Sequence, residues 1–131
     1  MAFGALALAC TALGACGGDE GPNEKRFDGD SADVAAVVDR LQDYARESDG
    51  SKICSDLMTP QLAQFVASSY DTTCAERVAA QLGGNGTTIT VRRLQVEGPL
   101  ASATVVEGNR NVTGLAFVKR EGKWRISRIR G

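Results

Sequence analysis

The sequence predicts an α+β domain in which N-terminal helices pack on a curved, four-stranded antiparallel sheet. Three observations predict it. Apolar residues recur at helical spacing between Ser31 and Leu82. From Thr87 onward β-branched residues dominate and the period shortens. The connections between those later segments are short, which favours neighbouring antiparallel strands. The chain has 131 residues, enough for one core, and its 43% apolar and 24% charged content is ordinary for a globular protein.

The first helix is expected from about Ser31 to Ser48, with Val34, Val37, Val38, Leu41, Tyr44 and Ala45 on one stripe. Asp39, Arg40, Asp43, Arg46 and Glu47 take the opposite face. Asp30 or Ser31 caps the start, and Ser48-Asp49-Gly50-Ser51 ends the helix. A short helix then holds Ile53, Cys54, Leu57 and Met58. Thr59-Pro60 reads as the N-cap and first residue of another, which buries Leu62, Phe65, Val66 and Ser69 or Tyr70. Thr73 with Glu76 fits a capping box opening the last helix, which carries Cys74, Val78 and Leu82. Gly83-Gly84-Asn85-Gly86 stops it. No Gly-Lys-Ser/Thr follows and the chain enters a strand, so this is not a phosphate loop.

The expected strands are Thr87–Val96, Leu100–Val106, Asn111–Arg120 and Lys123–Arg130. Parity in the first slips at Arg92-Arg93, which predicts a bulge or bend. Gly98-Pro99, Glu107–Arg110 and Glu121-Gly122 turn the chain. Trp124 and Ile126 share a face. One sheet face has to bury against the helices, and a helix crossing a bent sheet can leave a cavity at its open end. Core packing is the plainer role for Trp124 and for Tyr44, with the Tyr44 hydroxyl at the rim.

The formal net charge is −1, but it is unevenly spread. Gly17–Val91 carries 13 acidic and 6 basic residues, whereas Arg92–Gly131 carries 3 acidic and 9 basic. The plainer expectation is that the halves neutralise each other. The sharper one is a basic face for an anionic partner or lipid head groups. Arg125, Arg128 and Arg130 either form an anion-binding strip or guard a sheet edge as solvated side chains. No run of Lys or Arg is dense enough to suggest nucleic acid. Histidine is absent, which excludes histidine-dependent triads and removes the commonest metal ligand. The cysteine spacings do not supply a thiol zinc site. No catalytic residue, metal ligand or cofactor is assigned.

Residues 1–13 are apolar and uncharged. They are too short to span a bilayer, which takes roughly 20 residues, but suit the apolar region of a secretory signal peptide. Leu13-Gly14-Ala15-Cys16 resembles the bacterial lipobox: a branched apolar residue, two small residues, then cysteine. The basic segment that precedes such runs is missing, so either the start codon lies upstream or the chain is trimmed. The resemblance implies a lipoprotein. Residues 1–15 would be a signal peptide, and Cys16 would carry the lipid that holds the exported chain on the outer face of the bacterial cell membrane. Ala7-Leu8-Ala9-Cys10 is a poorer second candidate. Residues 16–30 are then the lipidated cysteine and a flexible tether, since Gly17–Arg26 is glycine-rich, charged and without large apolar residues. Residues 31–131 are the domain. With Cys10 removed and Cys16 lipidated, Cys54 and Cys74 remain as a disulfide pair in an oxidising compartment, two free buried thiols being the alternative.

The order of elements, and the closing phrase Lys119-Arg120-Glu121-Gly122-Lys123-Trp124-Arg125-Ile126, resembles the nuclear transport factor two-like superfamily, the cystatin-like cone fold. The resemblance covers roughly residues 31–130. It implies a fold, a pocket that Tyr44, Phe65 and Trp124 would line, and homodimers through a half-exposed sheet face. It does not imply a reaction, because the fold hosts enzymes, carriers and interaction modules. The favoured function is a non-catalytic domain that binds a protein or ligand at the cell surface. A carrier of an apolar small molecule or lipid, and an acid–base enzyme, are the alternatives.

Overall fold

Four antiparallel strands pair in sequential order, β1 (Ile89–Glu97), β2 (Leu100–Glu107), β3 (Asn111–Arg120) and β4 (Lys123–Arg130). This computed structural model describes residues 20–82, 86–108 and 111–130. Residues 1–19, on which the expected signal peptide and the Leu13–Cys16 motif fall, lie outside the described residues, as do Gly83–Asn85, Asn109-Arg110 and Gly131. The helices come first: α1 (Gly29–Arg46), α2 (Gly50–Lys52, continuing as a π turn over Ile53–Leu57), α3 (Pro60–Tyr70) and α4 (Cys74–Leu82). The molecule is thus α+β, helices preceding an open antiparallel sheet, as the change of period predicts.

One face of the sheet is the floor of the core. Ile89, Val91, Ala103, Val105, Leu115, Phe117, Trp124 and Ile126 are buried there. Against them α1 packs Val34, Val37, Val38 and Leu41, all buried, and the helical layer adds Ile53, Leu57, Leu62 and Val78. The alternation along β2 and β3 follows from the pleat, which sends successive side chains to opposite faces. The expected slip on β1 is a bulge between Val91 and Arg93, and it leaves Arg92 and Arg93 both exposed.

The disulfide is Cys54–Cys74, joining the π turn to the first residue of α4 over a Cα separation of 6.3 Å. Gly50 sits beside it. A Cβ at Gly50 would overlap the Ala75 main-chain carbonyl, so only glycine lets α2 and α4 approach this closely. Thr59 caps α3 by accepting from the Leu62 N–H at 3.1 Å, with Pro60 in the first turn, as the sequence predicts. The expected caps of α1 fail: the helix begins earlier, so Asp30 and Ser31 lie inside it.

α3 presents a different face from the one expected. Leu62 is buried and Ala63 and Val66 pack on the core, but Phe65 is 66% exposed and Tyr70 52%. At about 100° per residue, Phe65 falls roughly 110° from the centre of the Leu62–Ala63–Val66 stripe. Tyr70 lies at the helix end, where the Arg77 guanidinium covers its ring at 3.8 Å.

The tether expectation is corrected over its second half. Glu24–Arg26 form a 3-10 turn, and Asn23 is only 2% exposed. The Asn23 main-chain N–H and side-chain Nδ2 both donate to Asp39 Oδ1, at 3.0 and 2.9 Å, and the Glu24 N–H donates to Asp39 Oδ2 at 2.9 Å. Nδ2 also donates to the Ile89 carbonyl at 2.9 Å, while Oδ1 accepts from the Val91 N–H at 2.9 Å. Gln42 Oε1 takes the Ile89 N–H at 2.7 Å and Arg26 donates to the Val91 carbonyl at 2.7 Å. Every edge-facing main-chain group of Ile89 and Val91 is therefore matched by a side chain, which closes this stretch of an edge strand. Asp39, expected on the solvent face of α1, is buried because this neck covers it. A Cβ at Gly21 would overlap the Asp39 carboxylate, so glycine is what lets the neck lie down.

Candidate functional site

The outer face of the sheet carries a trough built by register. Arg93, Thr104, Gly114 and Arg130 stand opposite one another across the four strands. The next outward row is Gln95, Ser102, Ala116 and Arg128. In both rows the two central strands supply small residues and the two outer strands supply long polar ones. The result is a cleft of about 240 Å³ whose lining includes no carboxylate. Strands lie about 4.8 Å apart, so the rims on β1 and β4 are separated by roughly 14 Å at the backbone.

The three arginines of the rims are exposed. The two ion pairs among the described residues, Lys52–Asp49 and Lys119–Asp30, include none of them. The arginines that do bond, Arg26, Arg46 and Arg125, donate to main-chain carbonyls. Arg125 is thereby separated from the strip proposed for it: its guanidinium donates to the Ser55 and Met58 carbonyls at 3.0 and 3.3 Å, where the chain runs beside Ile126 on the β4 edge. Arg128 and Arg130 remain, and Arg93, from the far strand, completes the set. Only the register brings Arg93 to them. Leu100 (58% exposed) and Val112 (53%) lie at opposite ends of the same face.

A second cleft, of about 480 Å³, opens between α1 and the β3–β4 hairpin. Asp33, Arg40, Asp56, Lys123 and Trp124 are among its lining residues. Of the three residues expected around a pocket, Trp124 lines this cleft and is otherwise buried. The Tyr44 hydroxyl donates to Asp56 Oδ2 at 3.5 Å, at the rim. Phe65 borders neither cleft and faces outward on α3. Among the described residues the buried indole Nε1 of Trp124 has no hydrogen-bond partner. The walls of this cleft carry opposite charges in close company, which suits a solvated groove more than a site for one sign of ligand.

Chemically, the trough can do one thing well. Guanidinium groups on two sides of a floor of hydroxyls and small side chains match a phosphate or carboxylate, which accepts paired N–H bonds. Among the described residues no cluster of potential metal ligands occurs, and no helix is long and apolar enough to cross a membrane. Comparison with protein-family models, with curated proteins and with solved structures found no match.

Proposed function

We propose that the protein is an exported bacterial lipoprotein, anchored through Cys16, whose domain binds an anionic partner on the outer face of its sheet. The observation that carries the binding half is the trough, in which three arginines from two strands flank small residues with no acid among its lining. The address is supported by the lipobox resemblance and by a disulfide of the kind that persists in oxidising compartments. Both clefts have charged linings, which suits a polar partner better than an apolar cargo. The cone-fold resemblance fits the order of elements and belongs to the same proposal.

Two measurements test it. Cells expressing the chain are fed a palmitate analogue: label on the wild type and none on Cys16→Ser is expected, and label persisting on the variant removes the address. The purified chain is then passed over a sulfonate cation exchanger at neutral pH. A protein of net charge −1 is retained only through a local patch. Retention that is lost in Arg93→Gln/Arg128→Gln/Arg130→Gln is expected. Equal retention of both proteins removes the trough as the patch.

A further inference from the structure

We infer that the anion the trough takes is the phosphate of anionic phospholipid head groups in the membrane that holds Cys16, so that the domain lies with its outer sheet face on the bilayer. This rests on the lipoprotein reading above and adds the partner. The packed neck begins at Gly21, wedged on Asp39, and only four residues, Gly17 to Glu20, separate it from Cys16. Fully extended, that stretch spans at most roughly 18 Å. A domain of this size has a radius of gyration of about 13 Å, so the tether keeps it within roughly one molecular radius of the head groups. At that range the leaflet's field acts on whichever face is turned toward it.

The neck is fixed to the β1 edge through Asn23, on Ile89 and Val91. Directly after Val91 the bulge turns Arg92 and Arg93 outward, so the trough's β1 rim adjoins the place where the anchor leaves. The helical side is a poorer match, because Asp33 and Asp43 stand exposed on α1 and Glu47 at its end, where an anionic leaflet would repel them. Among the described residues, the outer face sets the single exposed Glu97, opposite Leu100, against three arginines. Apolar Leu100 and Val112, exposed at the ends of the outer face, suit the boundary between head groups and acyl chains. A second copy of the chain is disfavoured on the same face, since two arginine troughs pressed together repel.

Near an anionic leaflet each basic side chain raises affinity roughly five-fold, so three arginines predict roughly a hundred-fold preference for anionic over neutral vesicles. The test uses the full chain carrying Cys16→Ser, which cannot receive a lipid, sedimented with vesicles of phosphatidylcholine alone or mixed with phosphatidylglycerol. The apolar N-terminal run contributes to both, so the ratio isolates the charge. The expected result is a strong, salt-sensitive preference for phosphatidylglycerol that Arg93→Gln/Arg128→Gln/Arg130→Gln abolishes and the corresponding triple lysine variant largely keeps, with unchanged thermal unfolding. Equal binding to both vesicles, or a preference that survives the glutamine substitutions, overturns the inference. So does binding of free glycerol phosphate in the trough without a vesicle preference, which would assign it to a soluble anion. Concentration-dependent dimerisation without a vesicle preference would assign the face to a second copy and overturns it too. Failure of the palmitate label leaves the vesicle ratio readable, so the anchor and the lipid face fail separately.

Discussion

On β3, Phe117 is buried beneath the helices, while its neighbour Ala116 forms part of the trough floor on the opposite side. The same alternation runs through the other strands, and it divides two tasks. The inner face holds large apolar side chains that exclude water, and this is where stability resides. The outer face holds small residues in the centre and the exposed Arg93, Arg128 and Arg130 at the rims. Core residues are chosen for volume, whereas the outer residues are free of that demand and can be chosen for what they bind.

The largest expected effect comes from breaking the inner face. Phe117→Ala removes a side chain that is 1% exposed and should cost about 3–5 kcal/mol, read from urea unfolding. Replacing Arg93, Arg128 or Arg130 with glutamine should change stability by less than about 0.5 kcal/mol each, because each is solvated. Comparable losses on the two faces would erase the division of tasks.

The cover over the inner face can be weakened without touching the sheet. The disulfide ties the π turn to α4 across 20 residues, and in the chain-entropy model a loop of that length contributes about 3 kcal/mol. Unfolding of the reduced protein, or of Cys54→Ser/Cys74→Ser, should show a loss of that order, while the affinity of the folded protein for a cation exchanger stays the same. A change in retention at full folding would mean the outer face depends on the helical layer.

Asp39 offers a smaller, local break. Its carboxylate accepts from two main-chain N–H groups and the Asn23 amide, so Asp39→Ala leaves buried donors without acceptors. A cost of about 2 kcal/mol is expected. Hydrogen exchange at Asn23 and Glu24 should accelerate first, because the neck undocks before the sheet opens. Exchange at those amides unchanged from wild type would show that Asp39 does not hold the neck.

The neck also marks where the sequence stops being legible. Helices, strands, the β1 bulge, the Thr59 cap and the hairpin at Glu121-Gly122 all have local signatures, and they occur where those signatures place them. Gly21–Arg26 has none. It docks through polar atoms, and the partners of Asn23 lie 16, 66 and 68 residues away, so neither hydrophobicity nor period could reveal them. For the same reason Asp39 reads as surface until the neck is laid over it. The site was half legible. Arg128 and Arg130 stand out in sequence as alternating charges, but Arg93 joins them only through the register of four strands. Arg125 stands at the opposite parity, and only the register irregularity between Ile126 and Arg128 re-phases the strand, while two carbonyls on the β4 edge hold its guanidinium.

The smallest effect concerns acid. Glu76 Oε1 accepts from the Thr72 hydroxyl at 2.7 Å and faces the Thr73 N–H, while Thr73 Oγ1 accepts from the Glu76 N–H at 3.0 Å. The Thr72 hydroxyl first, and the Thr73 main chain second, hold the Glu76 carboxyl below the usual glutamate range. A carboxyl lowered in the folded state binds its proton less readily there than in the unfolded chain. Its contribution is therefore complete above the usual glutamate range and is lost as pH falls through the lowered folded value. The side chain is fully exposed, so solvent keeps the contribution small. Glu76→Gln should lower the melting temperature slightly near neutral pH, and the gap to wild type should close in acid. The trough lining contains no carboxylate, so retention on a sulfonate resin should not follow the same curve. Retention that tracked the Glu76 titration would tie the start of α4 to the outer face and blur the separation of cover from binding surface.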